Sequence, residues 1–255
     1  RELCGIEKGP ILMSALKPLG RSAKDFGETA YKLALGGCPL IKDDHSLFNQ
    51  SYAPFKDRVK ACVDSVNNAN AKTGGRSLYI ANCTADSMEF LERAMTAQEL
   101  GAGGIMAAPG LLGLSIIREL SSAPDFHLPI FLHPCFSGPL VLSADSGVSP
   151  FCYYGQFSRL AGADAAIFTS FGGRFPFTEE VCRKICDGTE TEMGGLRSIF
   201  PVPSGGMKWQ LFKKMVQVYG PDAIFLVGGA LLTESNDLTA NMHFYFEKLN
   251  EAVNK

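Results

Sequence analysis

An apolar run followed by an amphipathic stretch recurs eight times along this chain, and that alternation leaves few folds open. The apolar runs occupy 11–16, 39–41, 77–81, 104–108, 129–133, 165–169, 198–202 and 223–227. Helical spacing occupies 23–35, 54–72, 86–100, 115–120, 150–160, 178–186, 207–219 and 238–253. Glycines mark several of the stops, as at Gly36-Gly37, Gly74-Gly75 and Gly101. Continuous apolar strands between helices suit a parallel sheet covered on both faces. Eight such units in 255 residues match an α/β fold, the (β/α)8 TIM barrel, whose usual length is ~250 residues. A doubly wound sheet would carry fingerprint glycines after its first strand. That turn reads Lys17-Pro18-Leu19-Gly20 instead. The expected organisation is a linker over 1–10 and a barrel over 11–255.

In a barrel the active site lies at the C-terminal ends of the strands. The residues at those positions are Lys17, then Lys42, Asp44 and His45, then Asn82, Pro109, His133 and Thr169-Ser170. Ser204-Gly205-Gly206 and Gly228-Gly229 complete the ring. Side chains alternate along a strand, so Lys42 and Asp44 share one side while Asp43 points away. Titratable groups crowded at a buried strand end are costly to desolvate unless something pairs them. A divalent cation such as Mg²⁺ would do so through carboxylate oxygens. A salt-bridge cluster would also. The glycines after the seventh and eighth runs suit a phosphate held by backbone N–H groups, and they equally suit tight turns.

Bulk properties narrow the partners. A formal net charge of -2 gives no reason to expect nucleic acid or an anionic membrane. No apolar run reaches the ~18 residues that span a bilayer, and no signal peptide is visible. The eight cysteines lack zinc spacing, and Cys182 and Cys186 stand one helical turn apart. Reduced thiols in a reducing, cytoplasmic compartment are expected. The chain begins at Arg1 without a methionine, so an upstream segment is expected.

Taken together, Lys17-Pro18 with Leu19-Gly20-Arg21-Ser22-Ala23, Gly36-Gly37 through Lys42-Asp43-Asp44, and the two glycine loops resemble the catalytic barrel of the ribulose-bisphosphate carboxylase (RuBisCO) superfamily. The resemblance implies that Lys42 reacts with CO₂ to form a carbamate that binds Mg²⁺ or Mn²⁺ beside Asp44 and His45. It further implies proton transfer by Lys17, with His133 close by, and a phosphate at Ser204, Gly205, Gly206, Gly228 and Gly229. Lys17 has a plainer role open to it, a salt bridge to Asp44. Asn82 and Arg174 are candidate substrate contacts; His127 and His243 lie outside the strand ends.

The departures from the carboxylase are informative. His45 stands where it has a glutamate, and a second lysine after Lys17-Pro18 is lacking. Ser137, Phe168 and Gly172-Gly173-Arg174-Phe175 replace further histidines and a mobile lysine. The chain is therefore similar to the RuBisCO-like proteins (form IV), nearest the 5-methylthioribulose-1-phosphate isomerase branch. The expected activity is enolisation of a phosphorylated ketose or keto acid. The alternatives are a related decarboxylase or enolase, the carboxylase itself, or a non-catalytic phosphate-binding remnant. Phe136, Phe171 and Phe175 are expected to shape the substrate pocket. The resemblance also implies an N-terminal α/β domain and, with it, a homodimer.

Overall fold

The apolar runs form eight parallel strands that close on themselves in chain order. They are β1 (Ile11–Ala15), β2 (Leu40–Lys42), β3 (Leu78–Asn82), β4 (Gly104–Ala107), β5 (Ile130–Leu132), β6 (Ala165–Thr169), β7 (Phe200–Ser204) and β8 (Ile224–Val227). β8 pairs back onto β1, from Ile11 with Ile224 to Ser14 with Val227. The computed structural model describes residues 1–143, 145–173 and 175–254.

Helices follow the strands, with short turns α6 and α10 at the C-terminal mouth: α1 (Ala23–Leu35), α2 (Phe55–Thr73), α3 (Ser87–Glu99), α4 (Pro109–Leu112), α5 (Leu114–Ser121), α6 (Gly138–Val141), α7 (Ser158–Leu160), α8 (Glu179–Glu190), α9 (Phe212–Tyr219), α10 (Gly229–Leu232) and α11 (Leu238–Val253). The start of α1 follows from its sequence. Ser22 accepts the Asp25 N–H, and Asp25 accepts the Ser22 N–H in return, so two orphan donors are satisfied at once. Among the described residues no helix is long and apolar enough to cross a membrane.

Strand alternation sorts the side chains into two cores. Ile11, Met13, Ala15, Leu40, Ile80, Met106, Phe131, Ile167, Val202 and Ile224 fill the barrel. Leu12, Ile41, Tyr79, Ile105, Phe168 and Phe225 face outward and pack beneath the helices. Residues 1–10, expected as a linker, lie across the N-terminal end: Cys4 and Ile6 pack on the inner core, and Arg1 reaches Asp222 at 2.5 Å.

Three expectations shift. The seventh strand begins at Phe200 rather than 198, because Arg159 donates to the carbonyls of Arg197 and Leu196 and holds that stretch as a loop. Pro201 and Pro203 lack the N–H groups that would face β8, and Ser204 with Leu226 is the register pair between those two strands. The helix expected from 207 begins instead with a 3-10 turn at Trp209–Leu211 before α9. The stretch 150–160 is a π-helical turn, Phe151–Phe157, followed by α7. There Gly155 lies against the backbone of Gly188, closer than any side chain would allow.

One buried network underlies the β2 exit. Asp43 and Arg58 are both fully buried, with Nε donating to Oδ2 at 3.2 Å. The Tyr79 hydroxyl donates to Oδ1 at 2.7 Å and the Asn82 N–H to Oδ2 at 3.0 Å. The remaining Arg58 donors take the carbonyls of Leu47, Phe48 and Ala53, so one side chain on α2 fixes the loop after β2. Removing one partner of a buried pair strands the other charge. Arg58→Met is therefore expected to lower stability by about 3–5 kcal/mol in urea unfolding, and a loss under ~1 kcal/mol would contradict this role.

Candidate active site

The C-terminal mouth of the barrel opens into a cavity of ≈ 750 Å³. Lys17, Lys42, Asp44, His45, His133, Ser204, Gly205, Gly206, Gly228 and Gly229 all line it. β2 explains the cluster. Lys42 is in register with Ala15 and Ile80, both inward-facing, so its stem enters the barrel where Ala15 leaves room. Asp43 turns out to Arg58, and Asp44 comes back to the cavity side.

The electrostatics follow from that burial. Lys42 is 2% exposed, and its Nζ donates to the Asp43 carbonyl at 2.8 Å. Burial pushes its amine down to about 8, against the pull of Asp44 and Asp43. Burial alone would raise the Asp44 carboxyl. Lys17 at 2.6 Å from Oδ2, the Ser46 N–H at 3.0 Å from Oδ1 and the nearby His45 together hold it below its ordinary value. The Lys17–Asp44 salt bridge is thus present.

His45 stacks on His133 with ring centroids 4.6 Å apart and planes 12° from parallel. Burial, helped by Lys42, His45 and Lys17, holds His133 well below the usual imidazole range. Its Nδ1 accepts the Cys135 N–H at 3.1 Å, so the neutral ring carries its proton on Nε2. Among the described residues no three His, Cys, Asp or Glu side chains form a ready metal site. Asp44 and His45 supply two donors side by side, with Nδ1 3.5 Å from Oδ1.

One expected contact falls elsewhere. Asn82 is fully buried, and its amide donates to the carbonyls of His45 at 3.0 Å and Leu47 at 3.2 Å, so it braces the β2 loop instead of facing the cavity. Arg174 lies outside the described residues. Gly205 and Gly206 turn the chain after β7 in left-handed conformations, at φ +83° and +76°. A Cβ on Gly228 or Gly229 would meet no atom within 4 Å, so both stand beside open space at the cavity. The wall from the β5 and β6 loops is apolar, with Phe136, Val141, Leu142, Phe175 and Phe177. Phe136 sits at φ +64° with 66% of its surface exposed. Phe171 packs on Tyr219 and stays out of the cavity.

Residues 1–240 match the family model described as ribulose bisphosphate carboxylase large chain, catalytic domain. The chain belongs to the RuBisCO large-chain family. It is 36% identical over 233 residues to 5-methylthioribulose-1-phosphate isomerase of Rhodospirillum rubrum, covering 90% of this chain and 59% of that protein. To 2,3-diketo-5-methylthiopentyl-1-phosphate enolase of Geobacillus thermodenitrificans it is 35% identical, covering 91% of this chain and 56% of the enolase. The crystal structure of a Rubisco-like protein from Rhodopseudomonas palustris superimposes with a TM-score of 0.89 at 30% identity, over 98% of this chain and 67% of that one. The chain thus spans about three-fifths of the length of these curated relatives.

The structure adds residues to this RuBisCO-type mouth that strand-end reasoning misses. Tyr154, on the π-helical turn, lines the cavity and shares a 2.7 Å hydrogen bond with Ser137, whose hydroxyl is 2.6 Å from the Pro134 carbonyl. That chain of contacts braces the loop that follows His133. Burial pushes the Tyr154 hydroxyl up to about 12, so it stays protonated as a hydrogen-bonding group.

The Lys17–Asp44 pair can be tested by titration. The lowered Asp44 carboxyl adds stability above the unfolded value of ~3.9, and that contribution is lost as pH falls through the lower folded value. Lys17→Met removes the strongest opposing partner and leaves the burial. The Asp44 carboxyl should then titrate at higher pH by carbon-13 NMR of aspartate-labelled protein. An unchanged titration would show that Lys17 does not set its charge state.

Proposed function

We propose that this barrel enolises a phosphorylated ketose or keto acid, taking a proton from the carbon next to the carbonyl without net carboxylation, and that its reaction is a sugar-phosphate isomerisation. The observation that carries this reading is the convergence of Lys17, Lys42, Asp44, His45 and His133 on one cavity that also holds two glycine loops.

The donor set suits a Mg²⁺ or Mn²⁺ ion once Lys42 is carbamylated. An amine reacts with CO₂ only in its neutral form, releasing a proton, and a lysine lowered to about 8 is neutral far more often near neutral pH than a free one at ~10.4. Carbamylated Lys42, Asp44 and His45 would then hold the ion. When bound, the ion supplies Lewis-acid stabilisation of the charge developing on the substrate's carbonyl oxygen.

The chain's own residues divide the remaining work. Asp44 anchors Lys17 at the mouth, 2.6 Å from Oδ2, and only the neutral amine can serve as a base. Lys17 then accepts the proton from carbon. His133, neutral with its proton on Nε2, serves as a hydrogen-bond donor for a substrate oxygen. The loops at Ser204–Gly206 and Gly228–Gly229 offer backbone N–H groups to a phosphate. The apolar wall of Phe136, Phe175 and Phe177 suits an apolar substituent such as methylthio, the group in the names of both relatives.

The test is an NMR assay in D₂O with full-length protein, Mg²⁺ and 5-methylthioribulose 1-phosphate. Deuterium should enter next to the carbonyl in the wild type and vanish in Lys17→Ala. Incorporation that survives in Lys17→Ala would remove that residue as the base. Fixation of labelled CO₂ onto ribulose bisphosphate in place of exchange would overturn the reading as a whole.

A further inference from the structure

Backbone N–H groups alone leave much of a phosphate's charge uncompensated as it leaves water, so a subsite of this kind gains from a cation. Most cations at the cavity are already committed. Lys17 is held by Asp44 at 2.6 Å, and Lys42 is buried against the Asp43 carbonyl. Among the described lysines lining the cavity, Lys208 is the one whose side chain has neither an ion pair nor a hydrogen bond.

Its position is fixed by its neighbours. Met207, the residue before it, is buried to 2% exposure in the outer core. Trp209, the residue after it, stands edge-on to Phe244 with centroids 5.4 Å apart. The backbone at Lys208 is extended, at φ −130° and ψ 147°, so its side chain takes the opposite direction from both. The result is an exposed lysine on a pinned backbone, two residues after the left-handed pair Gly205-Gly206 and on the wall shared with Gly228 and Gly229. Had the helix begun at 207, as periodicity suggests, Lys208 would sit in a first helical turn rather than on an extended rim.

We propose that Lys208 is the phosphate-directed cation of this site, closing over the glycine loops onto the substrate's phosphate. The inference rests on the reading of those loops as the phosphate subsite. It implies that Lys208 selects phosphorylated over unphosphorylated substrate mainly through binding. An interaction equal in ground and transition states moves KM and leaves kcat.

The experiment is calorimetric titration of full-length protein with inorganic phosphate at low ionic strength, using wild type, Lys208→Met and Lys208→Arg. Phosphate should bind the wild type, about tenfold more weakly Lys208→Met, and nearly normally Lys208→Arg, since one charge-assisted contact is at stake. Equal affinity in wild type and Lys208→Met would overturn the role of Lys208 and leave the glycine subsite standing. Absence of phosphate binding in the wild type would overturn the subsite reading and this inference together.

Discussion

Alternation at the end of β2 is the constraint from which the site follows. Lys42 and Asp44 must share a face, and in a closed barrel that face is the interior mouth. Asp43 must take the other face, where a bare carboxylate under a helix would be strongly destabilising. Arg58 and Tyr79 meet it there. Arg58 then spends its other donors on the loop that follows His45, and Asn82 adds two more ties to the same loop. The cavity side of β2 is positioned by hydrogen bonds made on its far side.

The mouth divides into sectors that follow barrel order. β1 and β2 contribute the charged groups, with Lys17 and Asp44 balancing each other and Lys42 pushed toward its neutral form by burial. β5 contributes a neutral histidine on a braced loop, and the loops after β5 and β6 contribute aromatic surface. The loops after β7 and β8 contribute glycine turns. The proposed reaction would use these sectors for different parts of one substrate: the carbonyl and the proton beside it, an apolar group, and an anion.

Much of this was legible in the sequence, for a physical reason. The eight-fold strand-helix alternation and the period-two pattern through Lys42-Asp43-Asp44 are local signals, and local signals survive folding when the whole chain agrees with them. What was not legible depended on where a side chain's hydrogen bonds go. Asn82 stands at a strand end, as a substrate contact would, yet its amide is taken up by carbonyls of the β2 loop. Arg58 left one trace: a charge on the apolar stripe of α2, between Phe55, Val59 and Cys62. Tyr154 and Lys208 were hidden by helical periodicity that the chain does not follow, since a π-helical turn and an extended residue stand there.

The claim on which the rest depends is that Lys42 becomes an anionic ligand beside Asp44 and His45. The most direct measurement is Mn²⁺ binding to full-length protein, followed by electron paramagnetic resonance with and without bicarbonate. Bicarbonate is expected to tighten binding in the wild type and to have no effect in Lys42→Ala. Mn²⁺ affinity that ignores both bicarbonate and the Lys42→Ala substitution would contradict it.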